Sequence, residues 1–131
     1  MGLNQSINKI NFQDMQKFIT LNDYIIINTL NINNQNCLIK NTITPEQEIK
    51  LINKYLKENK KINIIIYGEN CSDNNVIDKY NQLYKLGFVN IYVYIGGLFE
   101  WLLLQDIFGE TEFPTTTIIN DILKYKGKPI K

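Results

Sequence analysis

The chain has 131 residues, enough for one domain that buries roughly two thirds of its unfolded surface. Its formal net charge of +1 and the lack of a dense basic run argue against nucleic acid as a partner, because phosphate binding requires clustered cations. All 14 basic residues are Lys, and the absence of His and Arg excludes His-dependent triads, zinc hydrolases and Arg-clamped phosphatases. We therefore expect no metal and no other cofactor.

The cysteine content indicates a reducing environment. Cys37 and Cys71 are too few for a disulfide framework, and no secretory signal precedes them. The longest apolar stretch, Leu98–Leu104, is interrupted by Glu100 and is too short to span a bilayer. We therefore expect a cytoplasmic protein.

The first six residues match the pattern for N-myristoylation, with Gly2 as the acceptor. Acylation of Gly2 and a flexible start that matches by chance are equally consistent with this pattern. A single myristoyl chain would give only weak, reversible membrane attachment, and we find no second anchoring signal. The chain thus divides into a flexible N-terminus (1–6), a folded domain (7–109) and a C-terminal extension packed on or trailing from it (110–131).

Hydrophobic periodicity predicts strands and helices that alternate along the domain. In the first half we expect an edge strand, a short helix capped by Asp14, an apolar strand, a further short strand and a longer helix capped by Thr44. Their ranges are Ile7–Phe12, Asp14–Leu21, Tyr24–Leu30, Cys37–Ile43 and Thr44–Asn59. The buried face of the helix Thr44–Asn59 is predicted to comprise four residues: Ile49, Ile52, Tyr55 and Leu56.

The second half continues the alternation. It contains an apolar strand, a polar loop, a helix, another strand and a final helix stopped by Gly109. The ranges are Ile62–Tyr67, Gly68–Asp73, Asn74–Gly87, Phe88–Ile95 and Leu98–Phe108. Such alternation predicts an α/β domain whose mainly parallel sheet is covered by helices on both faces. Ligands bind at the carboxyl ends of the strands in such sheets, so the polar loop is the candidate site.

Several segments resemble the rhodanese-like domain family. Leu86–Gly97 followed by Trp101 is similar to that family's Gly-Phe, strand, Gly-Gly and Trp signature. Ile25–Leu30 resembles the early strand that ends in an Asp-Val-Arg-like triplet, and Cys37–Ile43 resembles the strand that follows it. The resemblance covers about Ile7 to Gly109. It implies a small three-layer domain with a five-stranded, mainly parallel sheet flanked by helices.

The resemblance also implies where chemistry would occur. The family's active loop begins with a nucleophilic Cys directly after the central strand, and its backbone N–H groups converge on an anion or persulfide. In this chain that position is Gly68, and Glu69 and Asp73 stand in a loop that usually carries basic residues. Asn28 and Leu30 occupy the acidic and basic positions of the early triplet. These differences imply weak anion binding and the loss of the nucleophile.

One cysteine remains in the candidate anion-binding loop. The loop comprises Gly68, Glu69, Asn70, Cys71, Ser72 and Asp73. Cys71 is either a displaced nucleophile, favoured by the loop amides and the dipole of the next helix, or an inert loop cysteine. The acidic neighbours favour the inert interpretation, because reactive cysteines normally lie in electropositive surroundings. Cys37 is predicted to be a small buried hydrophobe.

The leading hypothesis is a non-catalytic rhodanese-like domain that serves as a binding or scaffolding module for a protein partner. The alternative is a sulfurtransferase or persulfide carrier that uses Cys71. A phosphatase of the same fold is rejected, because it needs a Cys and an Arg bracketing one loop. The resemblance implies that Gly96 and Gly97 form a turn rather than a phosphate cradle. We expect Glu100 to lie partly exposed on its helix. The oligomeric state is not specified by the sequence.

Overall fold

The computed structural model describes residues 7–129. It contains four strands, four α-helices and two short 3-10 segments. The strands are β1 (Lys9–Ile10), β2 (Tyr24–Asn28), β3 (Asn63–Tyr67) and β4 (Ile91–Tyr94). The helices are α1 (Phe12–Phe18), α2 (Pro45–Glu58), α3 (Asn74–Lys85) and α4 (Gly97–Phe108), and the 3-10 segments are Ile32–Asn34 and Ile122–Tyr125.

The four strands form one parallel sheet in the order β1-β4-β3-β2. Ile65 of β3 lies in register with Ile26 of β2 on one side and with Tyr92 of β4 on the other. Because all strands run in the same direction, their carboxyl ends meet at one edge of the sheet. The loop that follows β3 is therefore flanked by the ends of both neighbouring strands.

Side chains that alternate along the strands build a core on each face of the sheet. Ile65 and Tyr67 of β3 pack in a cluster with α1, α4 and the C-terminal extension. Ile64 and Ile66 pack in a second cluster with α3 and with half-buried side chains of α2. The domain therefore has three layers, and the predicted α/β class with a parallel sheet between helices is confirmed.

The sheet has four strands and not five, so the strand predicted at Cys37–Ile43 was wrong. This segment joins the sheet only through a parallel bridge between Thr42 and Ile26. Asn41 adopts a φ of 72°, which breaks the extended conformation, and Ile39 pairs antiparallel with Thr115 of the extension. The segment therefore pairs partly with β2 and partly with the C-terminal extension.

The helix starts follow their capping chemistry. At the start of α2, the Thr44 hydroxyl accepts from the Gln47 amide at 3.2 Å, and the Gln47 side chain accepts from the Thr44 amide at 2.9 Å. The cap of α1 is Asn11 and not Asp14, because Asp14 donates its amide to the Asn11 side chain at 2.9 Å. Ile49, predicted to be buried, is 65% exposed.

The C-terminal extension packs across the α1 and α4 face. The Pro114 carbonyl accepts hydrogen bonds from the Trp101 indole and the Lys40 amide, both at 3.1 Å. Phe113 and Tyr125 are buried in the same cluster. Gly2 lies outside the described residues, so its acylation stays a prediction. Between residues 7 and 129, no helix is long and apolar enough to cross a membrane.

Candidate functional site

The loop Gly68–Asp73 lies between the end of β3 and the start of α3, at the carboxyl edge of the sheet. Gly68 is buried, and Glu69 and Asn70 are half-buried, whereas Cys71 and Ser72 are exposed. The loop is fixed to the start of α4, because the amides of Leu98 and Phe99 donate to the carbonyls of Gly68 and Glu69, both at 2.9 Å. The structure thus positions the loop where the sequence places the candidate site.

The space beside Gly68 is filled by other side chains. A Cβ atom added to Gly68 would collide with the Asp73 carboxylate and would lie 2.6 Å from a Val76 methyl group. A cysteine at residue 68 would therefore require both side chains to move. The position to which the family resemblance assigns the nucleophile holds neither a sulfur nor room for one.

The Asp73 carboxylate is held by donors from both sides of the loop. One oxygen, Oδ2, accepts from the Glu69 amide at 3.1 Å and from the Thr29 hydroxyl at 3.2 Å. The other, Oδ1, accepts from the Asn75 amide at 2.9 Å and caps α3. A carboxylate of the chain itself therefore lies against amides that converge on the loop, in the way that a bound anion would.

Asn70 forms further hydrogen bonds that hold the loop in place. Its Oδ1 accepts from the Ser72 amide at 2.9 Å, and its carbonyl accepts from the Asp73 amide at 3.2 Å. Its Nδ2 donates to the Tyr125 carbonyl at 3.0 Å, which connects the loop to the C-terminal extension. The loop is therefore braced by the extension as well as by its own side chains.

The two cysteines lie in different surroundings, and both are free thiols. The Cys71 sulfur is 4.0 Å from the Ser72 hydroxyl, on the exposed part of the loop. Cys71 borders a small cavity of about 50 Å³ whose apolar lining includes Ile77 and Val93. Cys37 is fully buried, as predicted, and its thiol donates to the Thr117 carbonyl at 3.4 Å. Asp73 and not Cys71 thus occupies the space beside Gly68.

The end of β2 contributes a pair of neutral amides. Asn28 is buried and donates to the Gln35 side chain at 3.0 Å, while Gln35 donates back to Asn28 at 2.9 Å. The Asn28 side chain also accepts from the Leu30 amide at 3.0 Å. Asn28 and Leu30, the two positions that the resemblance assigns to charged residues, therefore carry no charge. The polar groups of the Asn28 side chain form their hydrogen bonds within the chain.

Two buried tyrosines hold the strand ends on either side of the loop. The Tyr67 hydroxyl accepts from the Ile39 amide at 3.1 Å and lies 2.8 Å from the Thr42 hydroxyl. The Tyr94 hydroxyl donates to the Glu100 carboxylate at 2.7 Å. Burial raises the pKa of both tyrosines well above 10, and at Tyr94 the hydrogen bond to Glu100 and its negative charge add to the rise. Both phenols therefore keep their protons at neutral pH.

Gly96 and Gly97 form a turn that brings α4 against the loop. Gly97 has a φ of 69°, and a Cβ there would lie 2.8 Å from the Gly68 carbonyl and 2.9 Å from the Asn70 amide. The Glu100 carboxylate lies over Gly96. Since the first amides of α4 donate to the loop, the turn interpretation agrees with the geometry. The hydrogen bonds that Asp73 and Glu100 make were not predicted from the sequence.

The described part of the chain, residues 7–129, contains no group of three or more Cys, Asp or Glu side chains that could hold a metal ion. The loop itself presents acidic and amide side chains without a lysine between residues 62 and 73. Its chemistry is that of a closed hydrogen-bonded turn at the edge of the sheet.

The family model for the rhodanese-like domain matches residues 10–104, which is most of the chain. The chain belongs to the rhodanese-like domain family. A search of curated proteins finds no sequence relative. The match covers the sheet from Ile10 onward, the loop and α4 up to Leu104, and leaves the C-terminal extension outside it.

Solved structures with the same fold have low sequence identity to the chain. The rhodanese-like domain of the Alr3790 protein from Anabaena sp. is 20% identical with a TM-score of 0.61, and the match covers 87% of this chain and 82% of that one. Ygr203w, a yeast protein tyrosine phosphatase of the rhodanese family, is 14% identical with a TM-score of 0.60, covering 88% and 96%. Thiosulfate sulfurtransferase from Pseudomonas aeruginosa is 14% identical with a TM-score of 0.62, covering 95% of this chain but 24% of that one. At these identities the likeness establishes the fold.

Proposed function

We propose that this rhodanese-like domain does not transfer sulfur and serves as a binding or scaffolding module. The observation that carries the proposal is the Asp73 carboxylate, which fills the space beside Gly68 and accepts from the loop amide of Glu69. A sulfurtransferase loop needs that space for its nucleophile and those donors for its anion. Here both are used to stabilise the loop itself.

Electrostatics support the same conclusion. Glu69 and Asp73 lie in the loop, and the chain has no Arg to offset them. An incoming thiosulfate dianion would meet two carboxylates at short range, and repulsion between like charges is only weakly screened over a few ångströms. The neutral pair of Asn28 and Gln35 supplies no compensating cation.

The alternative function is sulfur transfer or persulfide storage on Cys71, and its support is the exposure of that thiol. The Cys71 thiolate would attack the sulfane sulfur of thiosulfate, forming a persulfide and releasing sulfite. Cyanide would then take the sulfur as thiocyanate and restore the thiolate. Reactive thiolates need an electropositive setting, and the flanking carboxylates provide the opposite.

Phosphatase activity is not proposed, although one protein with this fold is a tyrosine phosphatase. That chemistry would need a nucleophile directly after β3 and an arginine to hold the phosphoryl oxygens. The chain has Gly68 at the first position and contains no arginine.

The test is incubation of the wild-type protein with thiosulfate, followed by intact-mass measurement and an assay of thiocyanate formation from cyanide. We expect no added sulfur and no thiocyanate above the protein-free blank. Cys71→Ser and Cys37→Ser form a matched pair of variants. A sulfur atom added to Cys71, with turnover lost in Cys71→Ser and kept in Cys37→Ser, would establish the enzyme instead.

A further inference from the structure

Helix α4 is apolar on its outer side as well as on the side that faces the core. Leu98, Trp101 and Leu102 are buried against the sheet. On the outer side, Leu103 is 38% exposed and Ile107 is 68% exposed. A helix at the surface of a domain normally has polar residues opposite its buried face, so the outer residues of α4 are not explained by folding.

These residues form a continuous ridge. Phe99, Leu103 and Ile107 are spaced at i, i+4 and i+8, which places them in one row along the helix. Phe99 is half-buried against the core, and Leu103 and Ile107 continue the row toward solvent. We call Phe99, Leu103 and Ile107 the outer stripe. By contrast, the solvent side of α2 carries Lys50, Lys54 and Lys57, and Ile49 is the only exposed apolar residue of that helix.

The sequence around the outer stripe is acidic. Residues 86–123 contain five acidic residues and no Lys: Glu100, Asp106, Glu110, Glu112 and Asp121. Asp106 lies one turn from Leu103, and the exposed Glu110 and Glu112 follow directly after Phe108 and Gly109. The ion pair between Lys79 and Glu48 is the only one within residues 7–129, so none of these carboxylates forms an ion pair with a lysine there.

We propose that the outer stripe is a docking surface for a partner helix whose apolar ridge is flanked by Lys or Arg. The proposal rests on the binding role inferred above and assigns its surface. The apolar rows of two helices can interdigitate, and basic flanks on the partner would face Asp106 and Glu110. The three residues form a small contact, typical of a transient complex.

The acidic border argues against two other occupants. A second copy docked through the same stripe would place its acidic residues against these, with repulsion between like charges. An anionic lipid surface would be repelled for the same reason. A cationic amphipathic helix gains from both the apolar row and the charges around it.

The experiment measures fluorescence anisotropy with two labelled model helices that share one leucine stripe. One peptide has lysines on its flanks and the other has glutamates at the same positions. We expect saturable, salt-sensitive binding of the lysine peptide and none of the glutamate peptide. Ile107→Gln should weaken the binding about tenfold, which corresponds to about 1.4 kcal/mol. Ile49→Gln is the matched control, since Ile49 is 65% exposed on α2, and it should leave the affinity unchanged.

Both variants must retain the wild-type circular dichroism spectrum and unfolding midpoint. Equal binding of the two peptides, or equal affinity of Ile107→Gln and wild type, would overturn the proposal. Sedimentation that shows a wild-type dimer and a monomeric Ile107→Gln would overturn it too, by making a second copy the occupant. The thiosulfate assay separates this proposal from the proposed function. If neither peptide binds and no sulfur is transferred, only the docking surface is wrong. If sulfur is transferred to Cys71, the non-catalytic role is wrong.

Discussion

Replacing Asp73 tests whether its carboxylate stabilises the loop. In Asp73→Ala, α3 loses its cap, which costs about 1 kcal/mol. The Glu69 amide and the Thr29 hydroxyl lose a charged acceptor as well, and hydrogen bonds to charged groups contribute about 1.5–3 kcal/mol. Because both donors are half-buried and share the single oxygen Oδ2, we assign the two hydrogen bonds about 2 kcal/mol together. With the cap, we expect a total loss of about 3 kcal/mol in the free energy of unfolding.

Asp73→Ser separates the two contributions. Serine still caps α3 through the Asn75 amide, but its side chain is too short to reach Glu69 and Thr29. We expect it to lose about 1.5–2 kcal/mol, so the alanine variant should be about 1 kcal/mol less stable than the serine variant. Urea unfolding at pH 7, followed by Trp101 fluorescence, gives both values. If both variants unfold within about 0.5 kcal/mol of wild type, the carboxylate does not hold the loop and the reasoning is refuted.

Four further substitutions and one pH series test other contacts of the fold. Both Gly97 and Gly109 have a positive φ, so an alanine at either position costs about 1–2 kcal/mol of backbone strain. Gly97→Ala should destabilise the protein by more than this, because its Cβ would also collide with the Gly68 carbonyl. Gly109→Ala should cost only the backbone strain, because the space around Gly109 is open. The Tyr125 hydroxyl is the only buried side-chain N or O without a partner in residues 7–129, so Tyr125→Phe should be neutral or stabilising, while Tyr67→Phe should lose about 1–3 kcal/mol. Native Tyr67 keeps its proton above pH 10 because burial raises its pKa, but the unfolded chain releases it, so Tyr67 should contribute a loss of about 1.4 kcal/mol of stability per pH unit above pH 10. Tyr94 contributes to the same loss, since its pKa is raised as well. Denaturant unfolding checks each variant, and a series from pH 8 to 11 should give Tyr67→Phe a shallower slope than wild type by this amount. Equal losses at Gly97 and Gly109, equal losses at the two tyrosines, or an unchanged slope would contradict these expectations.

The order of elements was predictable because it depends on local patterns. The apolar runs that became β2 and β3, and the capping box at Thr44 and Gln47, specify structure over a few residues. These features need no information from distant parts of the chain. The turn at Gly96 and Gly97 was instead expected from the family resemblance.

The position of the Asp73 carboxylate beside Gly68 was not predicted, because it depends on contacts across the loop. Asp73 lies five residues after Gly68, and its side chain reaches back only because Gly68 lacks a Cβ. The available signal was a glycine at the strand end combined with an acidic residue at the helix cap. The bond between Tyr94 and Glu100 likewise crosses a turn that sequence spacing alone does not define.

The segment Cys37–Ile43 shows a second limit. Its pattern suits a strand, but the C-terminal extension competes for its backbone. The Thr116 amide donates to the Leu38 carbonyl at 2.8 Å, and the Lys40 amide donates to Pro114. Pairing with a segment about 75 residues away cannot be read from local propensity, which fits any half-buried extended chain.

The most direct test of the central claim is a thiosulfate titration of the wild-type protein, observed through backbone amide NMR signals of residues 68–76. The account predicts no saturable shift of the Glu69 and Asn75 amides, because the Asp73 carboxylate already accepts from both. The same titration of Asp73→Ser should shift the Glu69 amide, which shows that the method detects a vacated site. A saturable shift of Glu69 and Asn75 in the wild type would mean that the loop admits an external anion, and would contradict the claim.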